Sequence, residues 1–395
     1  MANVSFLPGS SGWRLQALPP LSLYIHIPWC VRKCPYCDFN SLEAKAAVPE
    51  SDYVDALIRD LESALPLIWG RRVMTVFFGG GTPSLFSAAE IDRLLCALRA
   101  RLNLATDAEI TLEANPGTFE ADKFRDYRAA GINRLSIGIQ SFDAQMLQRL
   151  GRIHNDSEAL RAVEIAHRHF DNFNLDLMYA LPQQNLQQAQ QDIRRAIDCR
   201  STHLSAYHLT LEPNTLFYSQ PPNLPDEELS ADMQEMIEAE LEGAGFVHYE
   251  TSAFAQPGRF ARHNLNYWQF GDYLGIGAGA HSKLSFHDRI IRQMRYKQPA
   301  QYLRQVAAGV PVQNENQVGL DDLPFEFMMN ALRLTDGFEP GLFAERSGLQ
   351  LATIEPALAQ AERDGLLELR HDKIRPTLQG QRFLNDLLQT FLKES

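Results

Sequence analysis

Three thiols crowd into eight residues, Cys30-Val-Arg-Lys-Cys34-Pro-Tyr-Cys37, close enough in a C-x3-C-x2-C loop to reach one inorganic centre. A structural zinc site takes four ligands, and the loop holds no fourth Cys or His, since His26 lies before it on a predicted strand. A four-iron cluster held by three cysteines leaves one iron open to an outside ligand, so Cys30, Cys34 and Cys37 are the expected ligands of a [4Fe-4S] cluster. The chain has five cysteines, an odd number, which fits reduced thiols serving as ligands better than a disulfide framework. Cys96 and Cys199 fall on predicted helices and read as buried apolar residues.

The loop follows the first of six β-rich runs: Leu21 to Pro28, Val73 to Phe78, Glu109 to Glu113, Arg134 to Ile139, Asn174 to Tyr179 and His203 to Leu209. Between them, Ser51 to Leu65, Ser87 to Leu102, Glu120 to Ala130, Ser157 to Phe170 and Leu186 to Cys199 carry apolar residues at helical spacing, with Ser51 and Ser87 as expected N-caps. Repeated βα units with near-continuous apolar strands imply a parallel sheet, open or barrel-like. In parallel barrels functional residues gather at the carboxyl ends of the strands. Here those ends carry the cysteine loop, Gly79-Gly80-Gly81-Thr82-Pro83, Glu113-Ala-Asn115-Pro116, Gln140-Ser-Phe, Asp176 and Tyr207-His208.

A C-x3-C-x2-C loop after the first strand of a βα repeat resembles the radical S-adenosylmethionine (SAM) superfamily. The motifs YIHIPWC, FFGGGTPS, EANPGT, RLSIGIQSF, LGRIHN and NLDLMYALP are together similar to its coproporphyrinogen-dehydrogenase-like branch, along nearly the whole chain. The resemblance implies an α/β fold, a partial (βα)6 TIM-like barrel, in which the open iron binds SAM and the reduced cluster splits it to a 5′-deoxyadenosyl radical. It also implies SAM contacts at Tyr24, Tyr36, Gly79, Gly80, Gly81, Thr82, Glu113, Gln140, Arg152 and Asp176. The residue types agree: Glu113 can hold the SAM ammonium, Arg152 its carboxylate, Gln140 ribose or carboxylate, and Asp176 the ribose hydroxyls. The glycines offer close backbone approach, with N–H groups or carbonyls for a ligand. Each of these residues also has a plain structural reading.

Two kinds of member compete within the branch. One is the oxygen-independent coproporphyrinogen III dehydrogenase, which decarboxylates two propionates; the other is a haem chaperone that delivers haem to acceptor proteins. The dehydrogenase motif runs C-x3-C-x2-C-x-C, whereas Asp38 and Phe39 follow Cys37 here, and its N-terminal extension is longer. His263-Asn264-Leu-Asn-Tyr267-Trp268 matches the HNxxYW motif of the chaperones, offering one imidazole and two aromatic rings to a porphyrin. The expectation is therefore a haem chaperone carrying a cluster and SAM, with His263, Asn264, Tyr267 and Trp268 at haem and His281 as a second candidate ligand. The partners implied are a haem donor and acceptors such as respiratory cytochromes. A radical SAM enzyme acting on another substrate is a third reading, and the catalytic residues stay unassigned.

The boundaries expected are an N-terminal segment 1–20, a radical SAM barrel 21–215, an α/β extension 216–318 and a C-terminal winged-helix-like domain 319–395. The extension is expected to hold one acidic helix, Asp226 to Glu242, then antiparallel strands packed on the sheet. Gly275-x-Gly277-x-Gly279 precedes a strand instead of a long helix, against a dinucleotide fingerprint. With 37 Lys and Arg against 49 Asp and Glu, the net charge of −12 opposes polyanions, and the C-terminal domain shares that excess of acid. No nucleic-acid partner is expected. No apolar run approaches the roughly 18–20 residues of a membrane span, so a cytoplasmic protein with at most transient membrane contact is expected.

Overall fold

The computed structural model of the chain describes residues 12–118 and 121–392, with no side-chain description at Thr118. Most of the N-terminal segment and Glu120 lie outside the described residues. The six predicted strands form as β1 (Leu21–Ile27), β2 (Arg72–Gly80), β3 (Asn103–Ala114), β4 (Arg134–Gln140), β5 (Phe173–Tyr179) and β6 (His203–His208). Each pairs in parallel with the next, so their carboxyl ends meet at one rim. The crossovers include helices α1 (Glu50–Ala64), α2 (Ala88–Arg101), α3 (Ala121–Ala130), α4 (Asp156–His169) and α5 (Leu186–Asp198).

Local chemistry sets these helix starts. Ser87 accepts from the Glu90 N–H, and Asn155 and Asn185 form capping boxes with Glu158 and Gln188. The exception is α1, where Pro49 precedes the first turn and Ser51 lies inside the helix, so Ser51 is not a cap. Proline fixes φ for a helix start without any side-chain bond. Cys96 is exposed, a correction to its reading as buried, while Cys199 is buried at the end of α5.

The chain beyond residue 215 joins this sheet edge to edge. A hairpin, β7 (Val247–Glu250) and β8 (Ala253–Ala255), pairs antiparallel with β6. At the other edge β9 (Asp272–Ile276) runs parallel to β1, and β10 (His281–Ser285), β11 (Ile290–Arg295) and β12 (Val312–Gln317) continue antiparallel. The strand order is β12-β11-β10-β9-β1-β2-β3-β4-β5-β6-β8-β7, twelve strands in one sheet. The strands expected to pack on the barrel therefore extend it, and β9 is parallel to β1 where an antiparallel strand was expected. The acidic helix forms as α6 (Glu227–Gly243), capped by Asp226.

Valines, isoleucines and leucines on the outer faces of the strands pack on the helices in the main core. The concave face is polar by contrast. In register across it lie Ser22, Thr75 and Glu109 at the amino ends, and Glu113, Ser136, Asn174 and His203 above them. A second core, containing Phe327, Phe338, Phe343 and Leu358, builds the C-terminal helices and a small hairpin, Leu367–Leu369 with Ile374–Pro376. Leu15, Phe270 and Ile290 join that core and fasten it to the rest of the protein. Among the described residues no helix is long and apolar enough to cross a membrane.

Candidate functional site

The cysteine loop is held from several sides. The Pro28 carbonyl accepts from Leu42 N–H (2.8 Å) and the Cys30 carbonyl from Ala44 N–H (2.9 Å). The loop lysine, Lys33, donates to the Phe39 and Ser41 carbonyls, and Phe217 N–H donates to the Pro35 carbonyl at 3.0 Å. Asn40 bridges the loop to the Ala278 and Lys297 carbonyls. All three thiols then face one cavity of about 360 Å³ at the carboxyl rim.

That cavity is also lined by Tyr36, Gly80, Gly81, Thr82, Glu113, Gln140, Arg152 and Asp176. Of the residues expected at SAM, Tyr24 and Gly79 alone do not line it. Tyr24 sits one step deeper, its hydroxyl 3.1 Å from His26 Nδ1 and its ring against Phe77. Gly79 packs between those rings, where an added Cβ would lie 2.9 Å from Phe77 and 3.0 Å from Tyr24.

Close approach by the next two glycines serves the fold first. Gly80 has φ +115°, and a Cβ there would lie 2.5 Å from the His26 ring; at Gly81 it would lie 2.5 Å from the Trp29 carbonyl. The N–H groups of this turn are spent inside the protein, Gly80 on Glu113 Oε2, Gly81 on the Ile27 carbonyl and Thr82 on the Trp29 carbonyl. These N–H groups are therefore not free for a ligand, which removes that half of the sequence expectation of N–H groups or carbonyls.

Charges of both signs line the cavity together. Burial, then the nearby Asp176 charge, raises the Glu113 carboxyl to about 8, with the Gly80 N–H pulling the other way. Burial also raises Asp176, against hydrogen bonds from Ser136 Oγ (2.9 Å) and Asn174 Nδ2 (2.8 Å). Two carboxyls that resist ionisation together form a receptor for a cation. Beside them Arg152 donates to Cys34 Sγ (3.6 Å) and to the carbonyl of Gly138, the register partner of Asp176 (2.7 Å), while its buried Nε has no partner. Burial raises the Cys30 and Cys37 thiols, so loading a metal here displaces protons.

The residues fit the expected groups. Soft thiol donors suit iron–sulfur chemistry. Among the described residues no three Cys, His, Asp or Glu side chains close to single-ion spacing. Arg152 and the two carboxyls, all lining the cavity, match a ligand that carries both a carboxylate and positive charge.

The HNxxYW segment is elsewhere. It forms helix α7 (Arg262–Trp268), which closes the amino end of the barrel, opposite the cysteine loop. His263 is 2% exposed, with Nδ1 2.7 Å from Thr75 Oγ1, Nε2 3.1 Å from the Tyr267 hydroxyl and its ring stacked on Phe77. Burial, then the Arg134 charge, lowers its pKa to about 3. Glu109 accepts from the N–H groups of Arg262 and His263, Tyr267 packs on Tyr273, and Arg333 lies over the Trp268 ring at 4.4 Å. Asn264 shares this helix and lines no part of the cavity. The structure thus does not bring His263, Asn264, Tyr267 and Trp268 to the cysteines, and both ring nitrogens of His263 are engaged. His281 is exposed at the start of β10 and is also outside the cavity lining.

Sequence reasoning missed the polar interior beneath the cavity. Asn174 Oδ1 is 2.7 Å from His203 Nδ1, and His203 Nε2 is 2.7 Å from the Tyr249 hydroxyl. The signal was present as polar residues at alternate positions in RLSIGIQ, NLDLMY and HLSAYH, the period-two mark of a strand with one polar face.

Comparison with known proteins follows the same lines. Residues 24–196 match the model of the Radical SAM superfamily, and residues 318–383 match the HemN C-terminal domain. The chain is 51% identical over 379 residues to "Heme chaperone HemW" of Escherichia coli, covering 95% of this chain and 99% of that protein. It is 33% identical to "Heme chaperone HemW" of Bacillus subtilis over 381 residues, covering 94% and 99%. Among solved structures it is similar to coproporphyrinogen III oxidase (HemN) of Escherichia coli, a radical SAM enzyme, with TM-score 0.80 and 25% identity over 95% of this chain and 90% of that one.

Proposed function

Since the chain belongs to the haem chaperone HemW family within the radical SAM superfamily, we propose that it binds haem and passes it to acceptor haemoproteins, with a [4Fe-4S] cluster on Cys30, Cys34 and Cys37 and SAM beside it. The observation that carries this reading is the near-full-length identity to the HemW proteins, joined to Phe39 at the cavity wall where the dehydrogenase pattern has its fourth cysteine.

When bound, the cluster supplies an iron with an open coordination position and an electron for SAM. The protein's own share is placement. Arg152 takes the carboxylate of SAM, Glu113 the ammonium, and Gln140 and Asp176 the ribose side. Ser136 and Asn174 hold Asp176 in place, and Tyr36 packs beside Phe217. We place the protein in the cytoplasm, with a haem donor and respiratory cytochromes as its partners.

The test is a pair of assays on anaerobically reconstituted protein with verified iron and sulfide. Haemin should bind stoichiometrically and move to the apo form of a b-type cytochrome. Coproporphyrinogen III with SAM and reductant should come back unchanged by mass spectrometry. Loss of two carboxyl groups from that substrate would replace the chaperone reading with the dehydrogenase.

A further inference from the structure

Alternate residues of β4 point into the barrel, and Arg134 is the lowest of them, two positions below Ser136. It is 2% exposed, and among the described residues its guanidinium has no carboxylate at ion-pair distance and its Nε is buried without a partner. Thr111, its register partner on β3, has a buried hydroxyl that also lacks a partner. Glu109, one layer lower on β3, spends its oxygens on the N–H groups of Arg262 and His263. A buried guanidinium without a partner is costly, so its compensation has to come from charges that it faces at longer range.

The charge that it faces is Asp176 of β5. That carboxylate leans toward the lower layer, Oδ2 accepting from Ser136 Oγ at 2.9 Å and Oδ1 from Asn174 Nδ2 at 2.8 Å. Ser136 is the next inward residue above Arg134 on the same strand, so carboxylate and guanidinium stand one layer apart. In the unscreened interior opposite charges act on each other over such a gap without contact. The other groups facing Asp176 are Glu113 of β3, and Ser205 and Tyr207 of β6. Arg152 is also near, but its donors are on Cys34 and the Gly138 carbonyl. Burial raises the Asp176 carboxyl, while the Ser136 and Asn174 bonds and then the Arg134 charge work against it. Glu113 is raised instead by burial and then by the Asp176 charge itself. Of the two cavity carboxyls, Asp176 therefore carries the charge.

Resting on the SAM assignment above, we propose that Arg134 is a positioning residue for SAM, its unpaired charge keeping the negative charge of the cavity on Asp176, where Ser136 and Asn174 aim it at the ribose hydroxyls. Arg134 touches no part of SAM and acts through Asp176 alone. This gives the buried guanidinium a use that its missing partners do not.

The experiment measures SAM affinity and proton exchange by calorimetry, in two buffers of different ionisation enthalpy, on full-length, cluster-bearing wild type, Arg134→Met and Arg134→Lys. Arg134→Met strands no partner, so cluster content and a cooperative urea transition should persist. Arg134→Gln, neutral and polar, repeats the test should the methionine variant not take up the cluster. At pH 7 SAM affinity of the neutral variant should fall by on the order of tenfold, and binding should release more protons than in wild type, because Asp176 then gives one up. The gap to wild type should narrow as pH rises, and Arg134→Lys, which keeps the charge, should stay near wild type. In an Asp176→Asn background the neutral variant should change SAM affinity little. Wild-type affinity and proton count in the neutral variant overturn the proposal, and so does a loss that is equal at every pH or persists undiminished with Asp176→Asn. Wild-type protein that binds no SAM removes the SAM assignment itself.

Discussion

What surrounds His263 decides what its substitution does. His263 is locked between Thr75, Tyr267 and Phe77 at the closed end of the barrel, so its removal leaves a cavity and an unpaired Tyr267 hydroxyl, while Thr75 keeps its bond to Ser22 Oγ. His263→Ala is expected to cost about 2–4 kcal/mol of stability, visible in a urea midpoint, while the haem spectrum of the folded protein stays as in wild type. A variant with native stability and no haem uptake would return HNxxYW to the ligand set. The sequence reading found the residue types of the site and missed their partners for one physical reason. A C-x3-C-x2-C loop declares itself by spacing along the chain, whereas the engagement of His263 with Thr75 joins residues 188 apart. Phe39 was legible as a missing cysteine, but not as an exposed ring on the cavity rim.

Among the elements, the parallel strands were plain because each is a short apolar run ended by Gly, Pro or a polar residue. The strand β12, Val-Gln-Asn-Glu-Asn-Gln, was not, since an exposed edge strand has no buried face to impose alternation. Nor does local pattern show how the edge strands are fixed to the barrel. There Arg295 of β11 and Asp60 of α1 are both buried, their charged groups 3.2 Å apart. Asp60 also accepts from Gly277 N–H at 3.1 Å and from the Tyr302 hydroxyl at 2.8 Å. A buried pair contributes little net, yet losing one partner strands the other charge. Asp60→Ala should therefore cost about 3–5 kcal/mol in chemical denaturation. Adding Arg295→Met should recover part of that loss. Equal stability of the single and double variants would show that the guanidinium finds water or another partner, and that this pair does not hold the edge strands.

For the whole molecule, burial of ionisable groups makes stability a function of pH with opposed limbs. Burial lowers His26 and His203, and takes His154 to about 4 and His263 to about 3, from an ordinary 6.5. The unfolded chain then binds more protons than the folded one below 6.5, so these histidines add stability as pH rises to that value and are silent above it. Buried carboxyls act oppositely: Asp192 is raised to about 6, Glu250 to about 7 and Glu113 to about 8. Their folded forms keep protons that the unfolded forms release, so stability is lost as pH rises toward each raised value. Above pH 7 the Glu113 limb is the one of these still descending. The thermal midpoint of the cluster-bearing protein should accordingly fall between pH 7 and 8, and Glu113→Gln should flatten that fall. If Glu113 holds the SAM ammonium, binding SAM ionises it, so calorimetry near pH 7 in two buffers of different ionisation enthalpy should detect a released proton that the Gln variant does not release. A slope unchanged by Glu113→Gln would place the titrating group elsewhere. Proton release equal in both proteins would take the ammonium off this carboxylate.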